Sequence, residues 1–207
     1  MPKLDHLALA ASSLEEGVAH LEERLGARPC PGGEHALMGT HNALLGMGDL
    51  YLEVIAINPA APPPGRRRWF ALDDFAGAPR LAGWVLRCAD LGAAIAAAPD
   101  GVGHPLELSR GDLRWRMAVP DDGHLPFDGL FPALIRWQGT AHPARMLPDS
   151  GLRLVRLELI HPEAEALAGA LAGLQSGLPD DERIVVRSGD APAMRAEFDT
   201  PAGRRCL

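Results

Sequence analysis

The first 58 residues constrain the fold of this chain more than any other stretch. A short apolar strand, Leu4-Asp5-His6-Leu7-Ala8-Leu9, runs into Ser12-Ser13-Leu14-Glu15-Glu16 and an amphipathic helix. Ser12 or Ser13 followed by Glu15 or Glu16 is close to a capping box, and Leu14, Val18, Leu21 and Leu25 then fall on one helical face that Gly26 terminates. A Pro/Gly-rich turn follows, then a strand around Thr40–Leu45 and a closing strand Tyr51–Ile57. The order is βαβββ. Strand alternation sorts the side chains: His6 shares a face with Ala8, Leu7 and Leu9 face the helix, and Tyr51, Glu53, Ile55 and Ile57 share a face. Glu53 is the unusual member, because an unpaired carboxylate on an apolar strand face is costly to bury. It should find a cation, a metal or hydrogen-bond donors.

A second pass follows Asn58-Pro59 and a Pro/Gly-rich stretch. A short helix over Trp69–Phe75 leads to a strand over Leu81–Cys88, a helix over Asp90–Ala98, strands at Leu106–Leu108 and Leu113–Val119, and a closing strand over Leu130–Trp137. Laid on the first pass, Leu4–Leu7 matches Ala82–Val85, and Leu50–Ile55 matches Leu130–Ile135. The spacings agree: 53 − 6 = 47 residues and 133 − 84 = 49. By that register Trp84 and Ala133 stand where His6 and Glu53 stand in the first module. After Gly139 a third, shorter βαββ unit is predicted, with a strand over Leu152–Ile160, a helix over Glu163–Leu174, and strands at Arg183–Arg187 and Ala193–Phe198. The predicted units are residues 1–58, 59–139 and 140–207, all within one compact body.

This arrangement resembles the modules of the vicinal-oxygen-chelate superfamily, in particular its glyoxalase-like branch (the glyoxalase, bleomycin-resistance and dioxygenase type). The resemblance implies an α+β fold in which paired βαβββ modules form curved mixed sheets around a cleft, with helices outside. It also implies a site at His6 and Glu53, on adjacent strands taken here as antiparallel with both side chains on the concave face. In the metal enzymes of that superfamily, His and Glu from two modules hold a divalent ion (Zn, Ni, Mn or Fe) that polarises vicinal oxygens of the substrate. Here His6 and Glu53 are metal ligands or an acid–base pair, and the second module offers Trp84 and Ala133, neither of which binds a metal. Two ligands fall short of the usual three, so the metal is weakly held or absent. His41, His142 and His161 are the candidates for a further ligand.

Gly39-Thr40-His41-Asn42 resembles the Gly-Thr-x-Asn element at the third strand of glyoxalase-like proteins. It implies that Thr40 and Asn42, on one face, orient a small ligand, while His41 faces the other way. Trp84, Trp115, Trp137 and Phe131 are either an aromatic cavity lining or plain core, and Trp84 is taken as a substrate-binding residue. Arg114 and Arg116 share a strand face and Arg136 lies nearby; an arginine in the cleft would imply an anionic substrate. Arg66-Arg67-Arg68 reads as a solvated loop.

The function implied is binding or transformation of a small oxygenated metabolite by lyase, isomerase or dioxygenase chemistry. The alternative is a non-catalytic binding protein with a degenerate site. The net charge of −7 argues against a nucleic-acid partner, and no apolar run is long enough to span a bilayer. Three cysteines without metal-type spacing, and the lack of a signal-peptide pattern, predict a cytoplasmic protein. A single lysine among 20 basic residues is the mark of a GC-rich bacterial genome. A monomer and a homodimer are both compatible with the pattern.

Overall fold

The computed structural model describes residues 2–174 and 181–207. The first module comprises β1 (Lys3–Ala10), α1 (Leu14–Leu25), β2 (Cys30–His35), β3 (Thr40–Met47) and β4 (Leu50–Ile57). A 3-10 segment, Trp69–Asp74, leads to the second, with β5 (Arg80–Arg87), α2 (Leu91–Ala97), β6 (His104–Arg110), β7 (Leu113–Val119) and β8 (Ala133–Trp137). Ser13 Oγ accepts from the Glu16 amide at 3.1 Å and Gly26 ends α1 in the left-handed conformation, as the capping pattern predicts.

The two modules make one eight-stranded sheet in the order β2-β3-β4-β1-β5-β8-β7-β6. This order is mirrored about the antiparallel β1–β5 pair. Within each module the first strand pairs with the last in parallel, β1 with β4 and β5 with β8. The strands carrying His6 and Glu53 are therefore adjacent but parallel, which corrects the antiparallel expectation. A parallel pair needs a crossover connection, and α1 with the β2–β3 hairpin supplies it. The α+β architecture of curved modules is the one the sequence implied.

The sheet's two faces define two cores. Leu7, Leu9, Leu52 and Val54 pack with α1 and α2 on the outer face, whereas Ala8, Ala10, Ile55, Val85, Ala133 and Ile135 line the inner face with Trp69 and Trp115. After a short α3 (Pro143–Met146), the third unit has β9 (Arg153–His161), α4 (Ala164–Gly173), β10 (Ile184–Ser188), β11 (Ala193–Thr200) and β12 (Gly203–Cys206). Its sheet order is β10-β9-β11-β12, and β9 pairs in parallel with β10, the strand directly after its helix. That topology differs from the other two modules, so the third unit is not a truncated copy of them. Its Leu157, Leu159, Leu167 and Phe198 join the outer core. No described helix is long and apolar enough to cross a membrane.

The Arg66–Arg68 run is structural rather than merely solvated. Arg67 pairs with Asp74, Arg68 with Asp73, and Arg66 donates to the Pro120 carbonyl. The Ala71 amide donates to the Gly123 carbonyl at 2.9 Å. Gly123 sits at φ 80° against the Arg68 carbonyl, too close for a side chain. These contacts fix the 3-10 segment, and with it Trp69 and Phe70, over the inner face of the sheet.

Candidate functional site

The sheet brings His6 and Glu53 together, with His6 Nε2 3.5 Å from Glu53 Oε2 and both residues buried on the inner face. A β-bulge explains how His6 is aimed. The β1–β5 register shifts between Leu4 and His6, leaving Asp5 without a partner in β5. Leu4 consequently faces the outer core although it is two residues from His6. Asp5, fully buried, is the residue that the bulge presents to the site.

Asp5 accepts from three donors: His6 Nδ1 at 2.7 Å, His142 Nε2 at 2.8 Å and Trp137 Nε1 at 3.1 Å. His142 caps α3, its Nδ1 accepting from the Ala144 amide at 3.2 Å, so Nε2 carries the proton donated to Asp5. Burial pushes the Asp5 pKa up, but the bonds from His142 and His6 outweigh it and hold the carboxyl well below the usual range. Burial alone would also lower the pKa of His6. Its bond to Asp5 and its contact with Glu53 overturn this and raise it to about 9. The His6 ring stacks on Tyr51 with centroids 4.3 Å apart.

Glu53 is held from its other side. Asn42 Oδ1 accepts from the Gly33 amide at 2.9 Å, and a backbone N–H can only donate, so the Asn42 amide nitrogen must face Glu53 Oε1, to which it donates. A Cβ at Gly32 would collide with the Asn42 side chain, which is why this part of β2 is glycine. Burial raises the Glu53 pKa, but His6, His35 and Asn42 together bring it down to about 2.

His35, from β2, completes the site. Its Nδ1 lies 3.0 Å from Thr40 Oγ1 and its Nε2 lies 4.0 Å from Glu53 Oε1. It sits edge-on to Trp69 and Trp115. Desolvation dominates there and lowers its pKa to about 4, despite the nearby Glu53 charge. The two histidines beside one carboxylate are thus displaced in opposite directions.

Thr40 and Asn42 do share the inner face, and their bonds in this structure go to His35 and Glu53. Trp84 does not face the site. It pairs with Leu7, packs in the outer core and donates Nε1–H to the Leu130 carbonyl at 2.8 Å. Phe131 is in the same core. Trp84 is therefore corrected from cleft residue to outer core, and the repeat register changes with it. The bulge at Asp5 matches the bulge at Ala82, and the α1 cap Ser13 matches the α2 cap Asp90, which equates His6 with Gly83 and Ala8 with Val85; Glu53 then matches Ala133, because Ala8 pairs with Glu53 as Val85 pairs with Ala133. Ala133 faces inward at the position equivalent to Glu53. The second module still offers no ligand, through Gly83 and Ala133 rather than Trp84 and Ala133.

The inner cavity, about 20 Å³, is lined by His6, His35, Glu53, Trp69, Trp115, Trp137 and neighbouring side chains including Arg110. Trp69 Nε1 has no acceptor among the described residues. Arg110, at the end of β6, makes no ion pair among the described residues, and its stem lies where a Cβ on Gly33 would be. The arginines singled out in the sequence are elsewhere: Arg116 pairs with Glu107 and Arg114 bonds the Gly111 carbonyl. Of the histidines considered as further ligands, His142 reaches the site only through Asp5. His161 pairs with Asp128, and His41 lies on the face opposite Asn42.

The resemblance implies a divalent metal, and the donor set can be compared with that. His6 and Glu53 come from the first module, Gly83 and Ala133 stand at the equivalent positions of the second, and no three His, Cys, Asp or Glu side chains converge on a common point among the described residues. These residues do not fit a tightly held ion.

The fold agrees with what comparison with known proteins finds. The chain resembles a Staphylococcus aureus hypothetical protein over 93% of its own length and 88% of the other, at 12% identity and TM-score 0.65, a likeness of fold. It also matches a Streptomyces coelicolor methylmalonyl-CoA epimerase in complex with 2-nitronate-propionyl-CoA (17% identity, 68% of this chain and 96% of that one, TM-score 0.43). The Mycobacterium tuberculosis methylmalonyl-CoA epimerase matches at 15% identity, covering 67% and 88%, with TM-score 0.42. A search of the curated proteins finds no match. A family model described as glyoxalase-like domain matches residues 4–175. With the mirrored modules and the β1–β4 site in place, the chain belongs to the glyoxalase-like domain family of the vicinal-oxygen-chelate superfamily.

Proposed function

We propose that this protein catalyses proton transfer on a small oxygenated, anionic metabolite, as a lyase or isomerase acting without a tightly held metal. The observation that carries this reading is the pair of histidines flanking Glu53, one raised to about 9 and the other lowered to about 4. Environments that drive neighbouring pKa values apart assign acid and base. His6, oriented by Asp5, is the acid. Glu53 and the unprotonated His35 Nε2 are the acceptors available for a proton beside a carbonyl. Arg110 and the unpartnered Trp69 Nε1–H are the donors available to a substrate oxygen. The site's enclosure by Trp69, Trp115 and Trp137 would strengthen each of these interactions.

The test is deuterium incorporation from heavy water into a panel of small 2-oxo and 2-hydroxy carboxylates, followed by NMR. Exchange at the carbon beside the carbonyl is expected with at least one of them. His6→Gln and Glu53→Gln should each slow it by about 10²–10⁴-fold. Saturable binding of panel members with no exchange would sink the proton-transfer reading. It would favour the alternative, a binding protein, which Gly83 and Ala133 in place of ligands also support.

Protein purified without supplementation is expected to carry little zinc, nickel, manganese or iron by elemental analysis. Chelator should leave its melting temperature unchanged. Stoichiometric metal surviving dialysis against chelator would overturn the metal-free reading.

A further inference from the structure

Beside the inner site lies a second, larger cavity of about 560 Å³, within the usual range for small-molecule pockets. Its walls are Phe70, Phe75, Leu81, Leu125, Leu130 and, from the third unit, Met194. Among the described residues Phe70 is the one that lines both cavities. Its ring stands against Gly83, where an added Cβ would come within 2.6 Å of it. Gly83 in turn pairs with Ala8, two residues along β1 from His6. The Phe70 ring therefore stands between the outer chamber and the inner site.

Backbone strain is concentrated at this chamber. Among the described residues four non-glycines have left-handed φ: Phe70 (55°), Ala71 (51°), Phe127 (55°) and Asp128 (53°). Phe70, Ala71 and Asp128 line the chamber, and Phe127 adjoins Asp128 and packs edge-on to His161. Bulky residues adopt this conformation rarely and at a cost, and such outliers cluster at ligand sites.

The charges at the rim differ in their occupancy. Asp74 pairs with Arg67 and His124, and Asp128 with His161. Arg80 has no carboxylate partner among the described residues. Its guanidinium lies over the Phe75 ring at 4.3 Å and donates one bond, to the Ala76 carbonyl at 2.8 Å. Its remaining donors are free beside an apolar wall.

We infer that the outer chamber binds the remote half of an amphipathic anionic ligand: an apolar or aromatic body against Phe70, Phe75, Leu81, Leu130 and Met194, with a negative group at Arg80. The ligand's oxygenated end reaches the inner site when the Phe70 ring moves aside. This rests on the proposed function for the identity of the reacting end, but not for the chamber itself.

The probe is 8-anilinonaphthalene-1-sulfonate, an aromatic body with one anionic group, titrated by fluorescence against the full chain. N-phenyl-1-naphthylamine, the same body without charge, is the control. Saturable binding of both is expected, with Arg80→Gln weakening the sulfonate by about 5–20-fold and the neutral probe by less than twofold. Equal losses for both probes, or no saturable binding, would overturn the chamber. His6→Gln should leave both affinities unchanged, so failure of the inner-site reading would not be mistaken for failure of this one. The partition has its own readout, the rate at which diethyl pyrocarbonate modifies His35, the unprotonated histidine of the inner site, followed by peptide mass mapping. Phe70→Gly, which suits the left-handed backbone, should raise that rate at least tenfold, and saturating sulfonate probe should lower it again. An unchanged rate would show that Phe70 is not the partition.

Discussion

Replacing Asp5 with alanine is expected to be among the most damaging substitutions in the chain, lowering the unfolding free energy by about 3–5 kcal/mol. The reason is the number of groups that depend on one carboxylate. His6, His142 and Trp137 all direct a proton at Asp5, which has no exposure to water. Deleting it strands three buried donors and leaves the raised His6 without its closest counter-charge. In a chain of this length about 1 kcal/mol corresponds to 2–4 °C, so the melting temperature should fall by roughly 6–20 °C. Asp5→Asn keeps the shape but presents an NH₂ group where one of three donors needs an acceptor, so it should recover only part of the loss. Thermal melts by circular dichroism at pH 7 check both. A change of under 2 °C in Asp5→Ala would mean that the Asp5 network is not what holds β1, α3 and β8 together at the site.

The contrast between Asp5 and Glu53 shows how much of the site was legible in the sequence. Glu53 follows strict alternation in β4, so its place on the inner face could be read from Tyr51, Ile55 and Ile57. His6 could be read in the same way from Ala8. Asp5 could not, because alternation puts it with Leu7 and Leu9 on the outer face, and only a bulge breaks that phase. The misplaced repeat register has a related origin. Asp5 in β1 and Ala82 in β5 are each bulged, and matching bulge to bulge puts Leu4–Leu7 on Leu81–Trp84, one residue earlier than the sequence match to Ala82–Val85.

His35 was invisible for a different reason. Its strand, Cys-Pro-Gly-Gly-Glu-His, has neither β-branched residues nor alternation and reads as a turn. It is a strand because β3 pairs with it and because its glycines admit the Asn42 side chain and the Arg110 stem. The composition that hides the strand is thus the composition the site requires. A glycine pair beside a histidine, facing the Gly39-Thr40-His41-Asn42 element, was the available signal. The third unit's sheet order was equally hidden, since strand sequence does not state which neighbour a strand chooses.

Stability should depend on pH through the same residues, with a maximum near neutrality and limbs of different origin. His6 binds its proton more tightly when folded, with its pKa raised from 6.5 to about 9. Its contribution is therefore fully present below pH 6.5 and lost as pH rises through about 9. His35 has the opposite sign: lowered to about 4, it contributes above pH 6.5 and loses that contribution as pH falls through about 4. Glu53, lowered to about 2, adds stability above pH 4.5 that disappears as pH falls through about 2. One pKa unit is about 1.4 kcal/mol, so the His6 limb between pH 6.5 and 9 is worth on the order of 3 kcal/mol. Urea unfolding at intervals from pH 4 to pH 9.5 measures it. His6→Gln, which carries no titrating group, should flatten the alkaline limb and leave in place the part of the acid limb between pH 6.5 and 4 that the desolvation of His35 sets. His35→Gln should remove the part of the acid limb between pH 6.5 and 4 and leave the alkaline limb in place. If His6→Gln kept the full loss of stability between pH 6.5 and 9, His6 would not be the protonated member of the pair, and its role as the acid would fall with it.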